Sequence, residues 1–263
     1  MSSLFSVKGK VALVTGGSRG IGLMIARGYV ANGVKVYISS RKSTVCEKVA
    51  EELSQFGDCV AIPANLATNE GRQTLVSGIK EREEKLDILV NNAGAAWGAP
   101  FNEFPEQGYD RTFDLNVKSL FLLTRDLVSL LESAASAADP ARVINIGSID
   151  GLSVPTMDNF PYAASKAAVH HFTRVLAAEL GRRHITVNAI APGPFESQMT
   201  KFFLRNEEMR QEIAKSCPIG RIGEPEDMAG IAIYLASRAA AYVNGAVIPV
   251  DGGIIVNKRG DLF

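Results

Sequence analysis

The 263-residue chain is short of cysteine and histidine, with three of each, and its 28 basic residues cancel its 28 acidic ones. Each shortage excludes something. Cys46, Cys59 and Cys217 lie far apart, form no Cys-x-x-Cys and leave one thiol over in any disulfide scheme, so reduced thiols are expected. His170, His171 and His184 show no metal-ligand spacing; they are assigned to packing or surface, and no metal is expected. The lysines and arginines are scattered, without the basic stripe that nucleic acid selects or the polybasic face of a membrane-bound protein. Met1 to Lys10 holds no apolar run of signal-peptide length, and Lys258 to Phe263 matches no retention, peroxisomal or prenylation signal, so the expected location is the cytoplasm. A small neutral or anionic ligand is the partner these exclusions leave.

A hydrophobic content of 46% with 21% charge suffices for one α/β domain spanning residues 1–263. Short apolar runs alternate with longer amphipathic stretches, as when parallel strands buried on both faces are joined by crossover helices. Val11 to Thr15, Val34 to Ser39, Cys59 to Ile62, Ile88 to Asn91, Val143 to Gly147, Ile185 to Ile190 and Ala246 to Val250 are the strand candidates. They predict a single-domain, Rossmann-type, doubly wound sheet of seven parallel strands with helices on both faces. Helices are expected after Ser43-Thr44 to Leu53, after Thr68-Asn69-Glu70 to about Glu84, and from Met228 to Ala236 behind Glu224-Pro225-Glu226-Asp227. Ser133 to Ala138 reads as a local extension between a helix and the fifth strand.

The first strand runs into Thr15-Gly16-Gly17-Ser18-Arg19-Gly20-Ile21-Gly22, a glycine-rich turn that opens a helix. Such a turn aims free N–H groups and a positive helix end at a pyrophosphate, and its glycines allow close backbone approach. After the second strand, where a carboxylate would hold a ribose hydroxyl, the chain has Ser39-Ser40-Arg41. Arg41, helped by Arg19, suits the 2′-phosphate of NADP, and NADPH is the expected coenzyme. Among six tyrosines only Tyr162 is followed four residues later by lysine, Lys166, and Ser148 precedes the pair at a strand end. That set can move a proton onto a ketone oxygen.

With those motifs in order, the chain resembles the short-chain dehydrogenase/reductase family from about Lys8 to Gly253. The family's Thr-Gly-x-x-x-Gly-x-Gly corresponds to Thr15 to Gly22, its Asn-Asn-Ala-Gly to Asn91 to Gly94, its active-site asparagine to Asn116, and its Ser and Tyr-x-x-x-Lys to Ser148, Tyr162 and Lys166. Pro192 to Met199 resembles the stretch that wraps the nicotinamide. The resemblance implies coenzyme contacts from Gly16, Ser18, Arg19, Gly20, Ile21, Gly22, Ser40, Arg41, Asn65, Leu66, Asn92, Ala93, Gly94, Tyr162, Lys166, Pro192, Gly193, Phe195, Ser197 and Met199. Asn65 departs from the family's usual aspartate at the adenine contact, which implies altered affinity. A nearer likeness is to the β-ketoacyl reductase type and its rhamnolipid-associated branch, through Trp97-Gly98, Ser133 to Pro140 and Arg142 to Ser148.

In the mechanism so implied, Tyr162 is the acid, with its pKa drawn down from about 10 by the Lys166 ammonium. Ser148 donates to the carbonyl oxygen and Asn116 positions a water that relays protons to Lys166. Loops 95–101, 149–161 and 194–216 should overhang the site, the last as a substrate lid. Trp97, Met157, Phe160, Phe195, Phe202 and Phe203 can line an apolar cleft, although Phe202 and Phe203 equally suit the buried stripe of a lid helix. Asp150 is the nearby carboxylate, either at the substrate or simply solvated. Carrier-protein docking uses basic residues near the entrance, and only Arg183 stands at such a position, which favours coenzyme A thioesters or free ketones. The expected reaction is NADPH-dependent reduction of a β-ketoacyl thioester or other hydrophobic ketone. An NADP-linked secondary-alcohol or polyol dehydrogenase and a non-catalytic NADP-binding sensor or scaffold are the alternatives. The resemblance also implies a homo-oligomer, a dimer or tetramer, built on helices near 109–131 and 162–181 and the last strand.

Overall fold

Alternation in the apolar runs builds the sheet. In β1 (Val11–Thr15), Val11 and Leu13 point to one face while Ala12 and Val14 point to the other, and all are buried. A computed structural model describes residues 3–196 and 206–257. Its other strands are β2 (Lys35–Ser39), β3 (Cys59–Ala61), β4 (Ile88–Asn91), β5 (Ala141–Ile146), β6 (Ile185–Pro192) and β7 (Val247–Val250). They form one seven-stranded sheet in the order β3-β2-β1-β4-β5-β6-β7, every pair parallel. The order reverses direction between β1 and β4, which opens a crevice at their carboxyl ends.

Helices α1 (Gly20–Ala31), α2 (Ser43–Ser54) and α8 (Pro225–Ala236) close one core with Val14, Val36, Ile38 and Val90. There α1 meets α8 closely: a Cβ on Gly28 would lie 2.6 Å from Ala229, and the Tyr29 hydroxyl donates to the Ala232 carbonyl at 3.0 Å. On the other face α3 (Asn69–Lys80), α5 (Ser119–Ala134) and α6 (Phe160–Leu180) pack on Leu13, Tyr37, Leu89 and Val143. The remaining described helices are α4 (Glu106–Phe113), joined to α5 by a π-helical turn over Asp114–Lys118, and α7 (Glu207–Ser216).

Strand ends shift by one or two residues and the helix expected from Met228 starts at Pro225; three differences concern packing. Ser43 and Thr44 lie inside α2, whose cap is Lys42 without a side-chain bond. At the start of α3 the Thr68 hydroxyl does accept from the Gly71 N–H, but the helix ends at Lys80, and beyond it the Glu83 carboxylate accepts from the Tyr37 hydroxyl and the Lys35 ammonium. β5 begins two residues early, at Ala141, and so carries Arg142 into the interior. The Arg142 side chain is satisfied there: it donates to the carbonyls of Leu235 (3.1 Å), Ser237 (2.9 Å) and Pro140 and to the Asp139 carboxylate (3.0 Å).

Replacing Arg142 by Met would fill the space and strand those carbonyls. We expect Arg142→Met to lose about 3 kcal/mol of unfolding free energy in urea denaturation, and a loss below about 1 kcal/mol would contradict the role given to this residue.

Candidate active site

A cradle forms where β1 meets β4. The Thr15 hydroxyl donates to the Val90 carbonyl (3.1 Å) and accepts from the N–H groups of Asn92 (2.9 Å) and Ala93 (3.0 Å). The Asn92 amide donates to the Thr15 carbonyl at 2.8 Å and to that of Gly16 at 3.3 Å. Asn92 thus holds the carbonyl side of the glycine turn, whose N–H side and the start of α1 remain for an anion. Gly16 sits at φ +66°, and a Cβ on Gly22 would come within 2.4 Å of the Gly16 carbonyl, so close approach requires glycine at both.

At the end of β2 the buried Ser40 hydroxyl finds no hydrogen-bond partner, and Arg41 and Arg19 are both exposed. An orphan hydroxyl at Ser40, an exposed Arg41 next to it in the chain and an exposed Arg19 in a turn that Cβ atoms would block fit a dinucleotide carrying a 2′-phosphate. Asn65 is exposed at the end of β3, its Oδ1 accepting weakly from the Ala67 N–H (3.4 Å), whereas the Leu66 side chain is buried in the core. Ile21 likewise packs against the core, and Ser18 is buried in the turn.

The proposed tetrad assembles from β5, the π turn and α6. Ser148 lies two residues beyond β5, and its Oγ accepts from the Asp150 N–H at 3.2 Å. Lys166 is buried; its ammonium donates to the Ile146 carbonyl (2.8 Å) and stands 5.5 Å from the Tyr162 ring centre. Burial pushes the Lys166 amine down to about 8, with the Asp150 charge pulling the other way. Lys166 was expected to draw Tyr162 down, but burial dominates: the phenol is pushed up to about 12, against a lowering hydrogen bond from Ser148 and with Asp150 adding to the rise. Near neutral pH Tyr162 therefore keeps its proton, the state an acid must be in. The Asn116 amide is fully used, exchanging two bonds with Ala95 (2.8 and 2.9 Å) and donating to the Ser165 hydroxyl (2.9 Å). Its side chain clips the loop after β4 to α6 and has no hydrogen left for a water. Gly94 sits in this gap, where a Cβ would lie 3.2 Å from the Asn116 Oδ1 and 3.8 Å from the Lys166 Nζ.

The walls differ in part from expectation. Phe195 is buried in the core with Gly223 against its ring, where a Cβ would lie 2.3 Å away, so its side chain does not line the cleft. Pro192 and Gly193 close β6, the Gly193 N–H bonding to Val250 at 2.9 Å. Trp97 is half-buried, lying on Gly108 with the Arg111 guanidinium 5.8 Å above its ring. Met157 and Phe160 are exposed at the cleft, and Phe160 meets Phe101 (5.5 Å) and Phe104 (6.1 Å) edge to face. Ser197, Met199, Phe202 and Phe203 lie outside the described residues. Phe101, Phe104 and Val154 were missed in the sequence; isolated aromatic or aliphatic residues in loops carry no periodic signal. Asp150 is half-buried and accepts from the Asn159 amide, so it is not a solvated carboxylate.

Comparison with known proteins shows the family. A family model described as enoyl-(acyl carrier protein) reductase, within the short-chain dehydrogenases, matches residues 16–255. The rhamnolipids biosynthesis 3-oxoacyl-[acyl-carrier-protein] reductase of Pseudomonas aeruginosa is 47% identical over 96% of this chain and 99% of its own. The 5-keto-D-gluconate 5-reductase of Escherichia coli is 37% identical over 97% of this chain and 99% of its own. Among solved structures, the Pseudomonas aeruginosa RhlG/NADP active-site complex superposes with a TM-score of 0.93 at 47% identity, covering 97% of this chain and 99% of that one.

Removing the free guanidinium after β2 tests the phosphate end of the cradle. Arg41→Ala should weaken NADPH binding by about tenfold or more, the value of a charge-assisted bond, and leave NADH binding unchanged. Equal loss for both coenzymes, measured by fluorescence titration, would contradict the assignment.

Proposed function

Because the chain belongs to the short-chain dehydrogenase/reductase family of oxidoreductases, we propose that it reduces the ketone of a β-ketoacyl thioester, or another hydrophobic ketone, to a secondary alcohol with NADPH. One observation carries this reading: the hydroxyls of Ser148 and Tyr162 lie side by side, and the segments before and after Ser148 expose Phe101, Leu152, Val154, Met157 and Phe160. Two donors converging on one point suit a carbonyl oxygen, and apolar walls suit an acyl chain. Bound along the glycine turn, the coenzyme supplies a hydride to the carbonyl carbon.

The residues of the chain then handle charge and protons. Ser148 donates to the substrate oxygen as negative charge grows on it, and Tyr162 transfers its phenolic proton to that oxygen. The Lys166 ammonium, held on the Ile146 carbonyl, stabilises the phenolate left behind. Asn116 acts as a positioning residue, fixing the loop after β4 against the helix that bears Tyr162.

The E. coli relative is named for a sugar acid, and the same tetrad suits polyol oxidation. The apolar rim offers a sugar acid few polar partners, and the half-buried Asp150 disfavours an anionic substrate beside it. Arg183 is paired with Glu132, which competes with an acyl carrier protein for that guanidinium and favours coenzyme A thioesters or free ketones. Exposed Tyr109, Phe121 and Val175 on α4, α5 and α6 and the small Ala164 and Ala167 on α6, which allow close helix packing between copies, support a homo-oligomer. Three buried, free thiols, all pushed up by burial, suit the reducing cytoplasm.

NADPH consumption with a medium-chain β-ketoacyl coenzyme A should exceed that of the Tyr162→Phe variant by about a thousandfold, while the variant still binds NADPH. The rate should fall as pH rises through about 8, where Lys166 loses its charge. Full activity in Tyr162→Phe would overturn the mechanism.

A further inference from the structure

Asp150 stands two residues beyond Ser148 in a short 3-10 turn, Ile149–Gly151, and is bound at both ends. Its N–H donates to the Ser148 hydroxyl at 3.2 Å, and its carboxylate accepts from the Asn159 amide at 3.1 Å. Asn159 caps α6, and its carbonyl accepts from the Tyr162 N–H at 2.8 Å. An unbroken chain of bonds therefore runs from the hydroxyl of Ser148 through Asp150 and Asn159 to the backbone of Tyr162.

The turn also lies flat on α6. A Cβ on Gly151 would meet the Lys166 carbonyl carbon and the Ala167 nitrogen at 2.7 Å, and one on Gly147 would meet the His170 ring at 2.1 Å. Only glycine on either side of Ser148 and Asp150 permits this contact. The Asn159 side chain shows which partner orients it. Its Oδ1 is buried without a hydrogen bond, while its nitrogen faces the carboxylate. Leaving a buried acceptor unpaired is costly, so the bond to charged Asp150 outweighs it, and flipping the amide would set oxygen against oxygen.

We propose that Asp150 is a positioning residue of the ketone-reducing site: it ties the turn bearing Ser148 to the helix bearing Tyr162, and its carboxylate is the counter-charge that keeps Lys166 an ammonium ion. The charged and titratable groups facing Lys166 are Asp150, Tyr162 and His170, with Arg174 behind His170. Asp150 is the anion among them. Its charge raises the pKa of Lys166 against burial, and also that of Tyr162, so both groups hold their protons to higher pH.

The kinetic half of this proposal rests on the reductase reading, but its electrostatic half does not. The deciding experiment is a pH titration of Lys166 in the full chain by NMR of ¹³Cε-labelled lysine, with the resonance identified by its loss in Lys166→Arg. In the isosteric Asp150→Asn variant the Lys166 midpoint should fall by about one pH unit, as expected when an opposing charge on a turn packed against the Lys166 backbone is removed. The alkaline limb of the kcat profile should shift acidward with it. Asn159→Ala, which cuts the tether and keeps the charge, should lower kcat about tenfold with the NADPH KM unchanged. An unmoved Lys166 midpoint in Asp150→Asn would overturn the counter-charge, and an Asn159→Ala enzyme with wild-type kcat would overturn the tether. A wild-type protein inert toward every ketone would instead sink the reductase reading, with the Lys166 titration still deciding the counter-charge.

Discussion

Buried polar side chains at the carboxyl ends of the strands must find partners, and the way they do so sets the geometry of everything else. Thr15 joins β1 to β4 with three hydrogen bonds around one hydroxyl. One strand further on, the Asn91 amide donates to Asn145 of β5 (3.0 Å) and to Thr124 of α5 (3.1 Å), and the Asn145 amide donates to Thr173 of α6 (3.0 Å). Unpaired, each such group would cost about 1–3 kcal/mol, so the network tolerates one arrangement of β1, β4, β5 and α6 and disfavours others. The cradle and the proton donor are thereby fixed to the same frame.

The electrostatics of the site follow from that frame. Lys166 is buried because α6 is pinned to β5, and its nearest partner is a neutral carbonyl, so desolvation lowers its pKa. The same burial raises Tyr162. The two shifts move phenol and amine apart, to about 12 and about 8, and set a protonated acid beside an ammonium acidic enough to return a proton to the phenolate that transfer leaves behind. Neighbouring charge modulates this balance, but loss of water dominates it.

The sheet was legible because period-two alternation and buried apolar runs are strong signals, and each of the seven strands lies within two residues of its expected limits. The glycine-rich turn and the Ser148, Tyr162 and Lys166 set stood out in the sequence by residue type and spacing, and Asn116 by resemblance; the fold brings these side chains to the same end of the sheet. Less was visible where tertiary contacts overrule local pattern. Arg142 extends β5 inward because distant carbonyls at Leu235 and Ser237 await it, and Phe195 leaves the cleft because Gly223 makes room for it in the core. The direction of the Tyr162 shift was misread, since charge spacing is visible in sequence and desolvation is not. The apolar rim is made by side chains from separate loops, and only folding brings Phe101 and Phe104 to Phe160.

The central claim is that paired hydroxyls direct reduction to a carbon–oxygen double bond. Its most direct test offers the protein a β-ketoacyl and a trans-2-enoyl coenzyme A of equal chain length together, with NADPH carrying deuterium at the transferable position. Mass spectrometry should find one deuterium at the carbinol carbon of a 3-hydroxyacyl product and no saturated thioester. Deuterium in a saturated acyl chain, with the ketone untouched, would contradict the account.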